Sequence, residues 1–191
     1  MLTSIMIVGV GGQGTLLASR ILGNAVTSLG YDVKVSEVHG MSQRGGSVVT
    51  YVKYGDEVYS PIIDKGEADI VLAFELLEAY RALPFVKAEG GKMIVNTQKI
   101  DPMPVITGAV AYPENIEEKL AAKTNLTSVD ALSLAKEADS IKAVNVVLIG
   151  VMAASTDIPY DHWVETVKNT VPPKFLDVNL KAFELGYKLG K

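Results

Sequence analysis

Six residues, Gly9-Val10-Gly11-Gly12-Gln13-Gly14, constrain the fold of this 191-residue chain more than any other segment. The short apolar run Ser4–Val8 leads into them, and it has the length of a buried strand. Thr15 to Leu29 follows, with apolar residues at 17, 18, 21, 22, 25, 26 and 29, the spacing of an amphipathic helix. A G-x-G-x-x-G turn between a strand and a helix opens a βαβ unit. Its glycines permit a tight turn and close approach by a phosphate, and the N–H groups at the helix start then face the anion. Gly30 ends the helix, and Val33–Glu37 alternates as a second strand. Glu37 stands at that strand's end, where a dinucleotide fold places an acid on the ribose hydroxyls. The plainer alternative is that the glycines only let the first helix pack tightly on the sheet. Gln13 has a similar pair of readings, a functional polar group at a helix N-terminus or a simple cap.

The next segment breaks the α/β rhythm. His39 to Gly46 is rich in glycine and polar residues and reads as a loop. Within it, Ser42-Gln43-Arg44-Gly45-Gly46 lies just past the carboxyl end of the second strand, where open α/β sheets bind ligands. This loop and residues 9–15 are expected on the same rim. Arg44 offers a planar, permanently charged fork for phosphate or carboxylate, or a structural ion pair. Ser47–Tyr54 reads as a strand, Gly55-Asp56 as a hairpin turn and Glu57–Ser60 as the returning strand.

Alternation then resumes. Strands are expected at Asp69–Phe74 and Lys92–Asn96, with short extended pieces at Val105–Ile106 and Ala109–Tyr112. Helices are expected at Glu75–Leu83, Glu114–Lys123, Val129–Ala138, Asp161–Val171 and Phe175–Lys188, while Val144–Ser155 reads as a buried helix or a strand, with helix favoured on length. The fold expectation is α/β: a single Rossmann-like domain over 1–191, with a mostly parallel sheet, an inserted antiparallel hairpin and a helical C-terminal third.

Composition narrows the chemistry. There is no cysteine, hence no thiolate nucleophile, no disulfide and no self-held iron–sulfur cluster. Two histidines, His39 and His162, do not suggest a metal site, and a net charge of −4 argues against nucleic acid. No nucleophile elbow, Walker lysine motif or zinc-binding helix occurs, so no catalytic set is visible. The longest apolar stretch, Val144–Ala154, is too short for a membrane span, and the N-terminus lacks a basic leader. A cytoplasmic location is the expectation. Hydrophobic residues make up 48% of the chain. That content suits a sheet covered on both faces, or an additional surface kept for a partner.

Val8 to Gly14, the stretch His39-Gly-Met-Ser-Gln-Arg-Gly-Gly46, Asn145 to Gly150 and Asn179 to Gly186 together resemble the gamma-type subunits of 2-oxoacid:ferredoxin oxidoreductases. The Gly-Met-Ser-Gln-Arg-Gly-Gly form is most similar to the small (beta) subunits of the indolepyruvate branch. The resemblance spans essentially the whole chain. It implies oxidative decarboxylation of an arylpyruvate to an acyl-CoA with reduction of ferredoxin. It also implies that thiamine diphosphate and the iron–sulfur clusters reside on a large catalytic partner subunit, that coenzyme A acts through the complex, and that this chain holds no cofactor alone. An isolated chain is then open to a homodimer through its partner surface. The cofactor-facing residues implied by the motifs are Gly11, Gly12, Gln13, Gly14 and Thr15, with Ser42, Gln43, Arg44, Gly45 and Gly46. The alternatives are a free-standing NAD(P)- or FAD-binding Rossmann-like protein and a non-catalytic scaffold.

Arg44→Ala is expected to lower the activity of the assembled complex while leaving the thermal unfolding of the isolated chain unchanged. Parallel turnover and melting measurements check this.

Overall fold

The computed structural model describes residues 2–40 and 45–191. Six strands form one sheet: β1 (Leu2–Val10), β2 (Asp32–His39), β3 (Ser47–Gly55), β4 (Ile70–Ala73), β5 (Lys92–Asn96) and β6 (Asn125–Val129). Their spatial order is β2-β3-β1-β4-β5-β6. The ladders β1–β4, β4–β5 and β5–β6 are parallel, whereas β3 is antiparallel to both β1 and β2. Five strands therefore run one way and β3 alone is reversed.

The helices cover both faces. On one side lie α1 (Thr15–Thr27), α5 (Ala131–Glu137), α6 (Val144–Ala154), α7 (Tyr160–Thr170) and α8 (Leu176–Gly190). They pack on Ile5, Ile7, Leu72, Phe74 and Ile94 of the sheet, around Leu148, Trp163 and Phe183. On the other side α2 (Leu76–Ala82) and α4 (Ile116–Ala121) cover Met6, Val8, Val71, Met93 and Val95. β1 and β4 thus read as near-continuous apolar runs because both of their faces are buried. Helix α6 is buried from Asn145 to Ala153.

Three glycines allow α6 and α8 to cross at backbone distance. A Cβ at Gly150 would run into the Phe183 carbonyl oxygen, one at Gly186 into the Val147 carbonyl oxygen, and one at Gly190 would lie 2.7 Å from the Val151 carbonyl oxygen. These obstacles are backbone atoms, so a methyl forces the helices apart rather than rotating a side chain.

Four features differ from the sequence expectation. The hairpin is β2–β3, with register from Asp32↔Gly55 to His39↔Val48, so the glycine-rich loop after His39 is itself the hairpin connection. Glu57–Ser60 forms no strand. The Asp32 carboxylate accepts the Val58 N–H at 2.8 Å, and this leads the chain away from the sheet instead of back along it. In consequence β1 and β2 are not adjacent, as a simple βαβ unit would have them. Strand β6 was not expected, because Asn125-Leu126-Thr127-Ser128-Val129 is polar and half-exposed, as an outer strand tolerates. Residues 103–106 form a short helix, α3 (Met103–Ile106), entered through Pro102, and Ala109–Tyr112 is irregular.

Gly186→Ala is expected to destabilise the fold by about 1–3 kcal/mol, the range for overpacking a filled core. Urea denaturation followed by circular dichroism measures it.

Candidate functional site

The carboxyl ends of β1, β4 and β5 form one rim, and the start of β3 joins it because β3 runs the other way. There the two glycine-bearing loops meet directly. The Gly11 N–H donates to the Gly46 carbonyl at 2.8 Å, and the Gly45 N–H donates to the Gly11 carbonyl at 3.3 Å. The shared rim expected from the sequence is therefore a backbone-to-backbone junction. Gly12, Gly14 and Gly45 have φ of 102°, 84° and 77°, a region that side chains disfavour. Gly14 is also crowded, since a Cβ there would lie 2.5 Å from Asn145 Nδ2. That amide donates to the Gly14 carbonyl at 3.3 Å and ties the loop to the start of α6.

Gln13 folds back over the end of β1. Its Oε1 accepts the Val10 N–H at 2.7 Å, and its Nε2 donates to the Phe74 carbonyl at 2.9 Å and to Gln98 Oε1 at 3.4 Å. Asn96 Nδ2 donates to the same Phe74 carbonyl at 3.0 Å, and Asn96 Oδ1 accepts the Ala131 N–H at 3.3 Å. The amide groups of Gln13 and Asn96 thus bridge the ends of β1, β4 and β5. Gly9 must lack a side chain for this, because a Cβ there would lie 2.9 Å from Gln13 Oε1.

Two buried acids stand behind the rim at the start of α2. Glu75 accepts the Glu78 N–H at 2.9 Å, the Ile100 N–H at 3.1 Å and the Tyr112 hydroxyl at 2.6 Å. Burial, and then the bond to Glu75, push the Tyr112 phenol well above its ordinary pKa. Glu78 accepts the Ser47 hydroxyl at 2.6 Å and an Arg81 guanidinium N–H at 2.5 Å.

An open groove of about 360 Å³ runs between the glycine loop with Leu16 on one side and Glu37, His39 and Val48 on the other. Among the described residues no side chain caps α1 and its first turn has no acid, so the positive dipole end of the helix suits a further acceptor. Thr15 is buried in that turn. Leu16 is more than half exposed beside the groove. A second cavity, of about 300 Å³, lies at the opposite, amino ends of the strands, near Tyr31, Tyr54 and Lys92.

Of the residues singled out from the sequence, Gly11, Gly12, Gln13, Gly14, Thr15, Gly45 and Gly46 gather at this rim. Ser42, Gln43 and Arg44 lie outside the described residues. Glu37 does not take the position of a ribose acid. The inserted β3 sets β2 two strand spacings from β1, roughly 10 Å, where a dinucleotide fold has one. Its carboxylate instead accepts the Thr50 hydroxyl at 3.2 Å. Asn96, Gln98, Glu75, Glu78 and Tyr112 were not anticipated. Their one sequence signal is polarity at the ends of apolar strands, which also marks ordinary loops. Among the described residues, no three His, Cys, Asp or Glu side chains cluster as a metal ion needs, and no helix is long and apolar enough to cross a membrane.

A mostly parallel α/β sheet with one reversed strand, and two glycine loops fused at its carboxyl rim, defines a Rossmann-like class distinct from the simple dinucleotide binders. Residues 4–189 match the family model described as pyruvate ferredoxin/flavodoxin oxidoreductase, and the chain belongs to that family. It is 44% identical, over 98% of its length and 96% of the relative's, to the indolepyruvate oxidoreductase subunit IorB of Pyrococcus horikoshii. The protein of the same name in Thermococcus kodakarensis is 43% identical, with the same coverage. Among solved structures, the gamma subunit of a keto/oxoacid ferredoxin oxidoreductase from Geobacter sulfurreducens is 25% identical, with a TM-score of 0.73 and 98% coverage of both chains. The same fold, at a TM-score of 0.75 and 20% identity, occupies 31% of a longer chain in a 2-oxoglutarate:ferredoxin oxidoreductase from Magnetococcus marinus. These relatives give no support to a free-standing NAD(P)- or FAD-binding protein.

Gln13→Ala leaves the Val10 N–H without its acceptor in a half-buried place. The expected cost is about 1–3 kcal/mol in chemical denaturation.

Proposed function

We propose that this chain is the small, gamma-type subunit of an indolepyruvate:ferredoxin oxidoreductase. The near-full-length identity of 43–44% to the two IorB subunits carries this reading. The complex would convert an arylpyruvate anion, coenzyme A and two oxidised ferredoxins into an arylacetyl-CoA, carbon dioxide, one proton and two reduced ferredoxins. Iron–sulfur clusters need thiolate ligands, and this chain has no cysteine. The clusters, and with them thiamine diphosphate, are assigned to a large partner subunit. The 1–191 chain acts as one domain in the cytoplasm.

The role of this chain is to complete the assembly. The Gly12, Gly14 and Thr15 amides at the start of α1 suit a phosphate or a partner carbonyl. The Gly11 and Gln13 N–H groups are spent on the Gly46 and Val10 carbonyls and are removed from that set. Arg44, two residues before the Gly46 carbonyl that holds Gly11, is assigned to an anionic group of substrate or cofactor. Gly45 and Gly46 let backbone approach closely, and Ser42 and Gln43 complete that loop. Leu16 flanks the groove as an apolar contact for the partner.

Reconstitution tests the proposal. The chain alone is expected to show no turnover. Combined with the large subunit, it should support ferredoxin reduction that requires both indolepyruvate and coenzyme A. Micromolar binding of NAD or FAD by the isolated chain, or full activity of the large subunit without it, would overturn the proposal.

A further inference from the structure

We propose that Glu78 is a positioning residue for the glycine rim and acts through Ser47. Glu78 sits on α2, on the sheet face opposite α1, and only 5% of it is exposed. A carboxylate that served only to pair with Arg81 at i,i+3 would lie in solvent, where such pairs contribute little. Glu78 instead turns inward, and its second oxygen accepts the Ser47 hydroxyl at 2.6 Å. Burying that charge requires both donors, so the bond to Ser47 is part of what makes the site affordable in free energy.

Ser47 is the hinge between the loop and the sheet. It is the first residue of β3 and pairs with Val10, the last residue of β1. The peptide unit that carries the Ser47 N–H also carries the Gly46 carbonyl, and that oxygen accepts the Gly11 N–H at 2.8 Å. Holding the Ser47 side chain therefore fixes the plane of the peptide that aims Gly11. The Glu78 backbone is fixed in turn, because its N–H is bound by the buried Glu75 carboxylate. A chain of bonds thus runs from the helix on one face, through the start of the reversed strand, to the first glycine of the rim.

The test has a structural arm and a kinetic arm, and only the kinetic arm rests on the function proposed above. In the full chain, amide exchange by NMR is measured for wild type, Glu78→Ala, Ser47→Ala, the double variant and Ser47→Thr. Both alanine variants are expected to speed exchange of the Gly11 amide about tenfold, the double variant no further, and Ser47→Thr not at all. The Leu72 amide in the core should be unchanged and so report an intact fold. Ser47 is exposed, so Ser47→Ala carries the test even where Glu78→Ala fails to fold. Unchanged Gly11 exchange in Ser47→Ala, or additive effects in the double variant, would overturn the proposal. In the reconstituted complex, Ser47→Ala is expected to raise KM for coenzyme A about tenfold with a smaller change in kcat, and Ser47→Thr to restore it. Faster Gly11 exchange with unaltered kinetics would uphold the link from Glu78 to Gly11 and overturn the reading of the rim as a site for a phosphate of coenzyme A.

Discussion

Two backbone hydrogen bonds, between Gly11 and the Gly45–Gly46 pair, hold the architecture of the rim together. They clamp the turn after β1 to the turn before β3, and so seat the reversed strand between β1 and β2. The β1–β3 and β2–β3 ladders set Glu37 away from β1, and the junction closes them at the rim. Gly12 and Gly45 matter here for conformation, since both hold positive φ and a Cβ on either would meet no described heavy atom within 4 Å.

Around the junction, side chains that could serve chemistry are used as ties. The Gln13 and Asn96 amides converge on the Phe74 carbonyl, and Asn145 reaches the Gly14 carbonyl from α6. Glu75 gathers the Ile100 N–H and the Tyr112 hydroxyl. Such a network is stable only when each member finds its partner, and no buried side-chain polar atom among the described residues lacks one. What the rim leaves open is backbone, with Leu16 exposed at its border. The relatives reported above are themselves named as subunits.

The elements legible in the sequence were those whose own residues decide them. β1, β5, α1, α6 and α8 show strong apolar runs or clear 3.6-residue periodicity. Misreadings came where a neighbour decides. Glu57–Ser60 has strand-like residues, but the bond from Asp32 to the Val58 N–H draws it away from the sheet. β6 is a strand only because β5 offers an edge for Asn125–Val129 to pair with. In the site, the two glycine loops were legible because glycine spacing is a local signal. The two buried acids of α2 were not, because Glu75 and Glu78 look like the solvated face of any short helix until their partners are known.

The sequence by itself determined that this chain is an α/β protein with a glycine turn after its first strand, and that it holds no thiol-ligated cluster. Local periodicity, glycine placement and the absence of cysteine are properties of the chain alone. Only the tertiary structure decided which strand lies beside β1, and so separated this rim from that of a dinucleotide-binding fold. Strand order depends on pairings between residues far apart in sequence, such as Val10 with Ser47 and Ile5 with Ile70, and no local pattern encodes those partners.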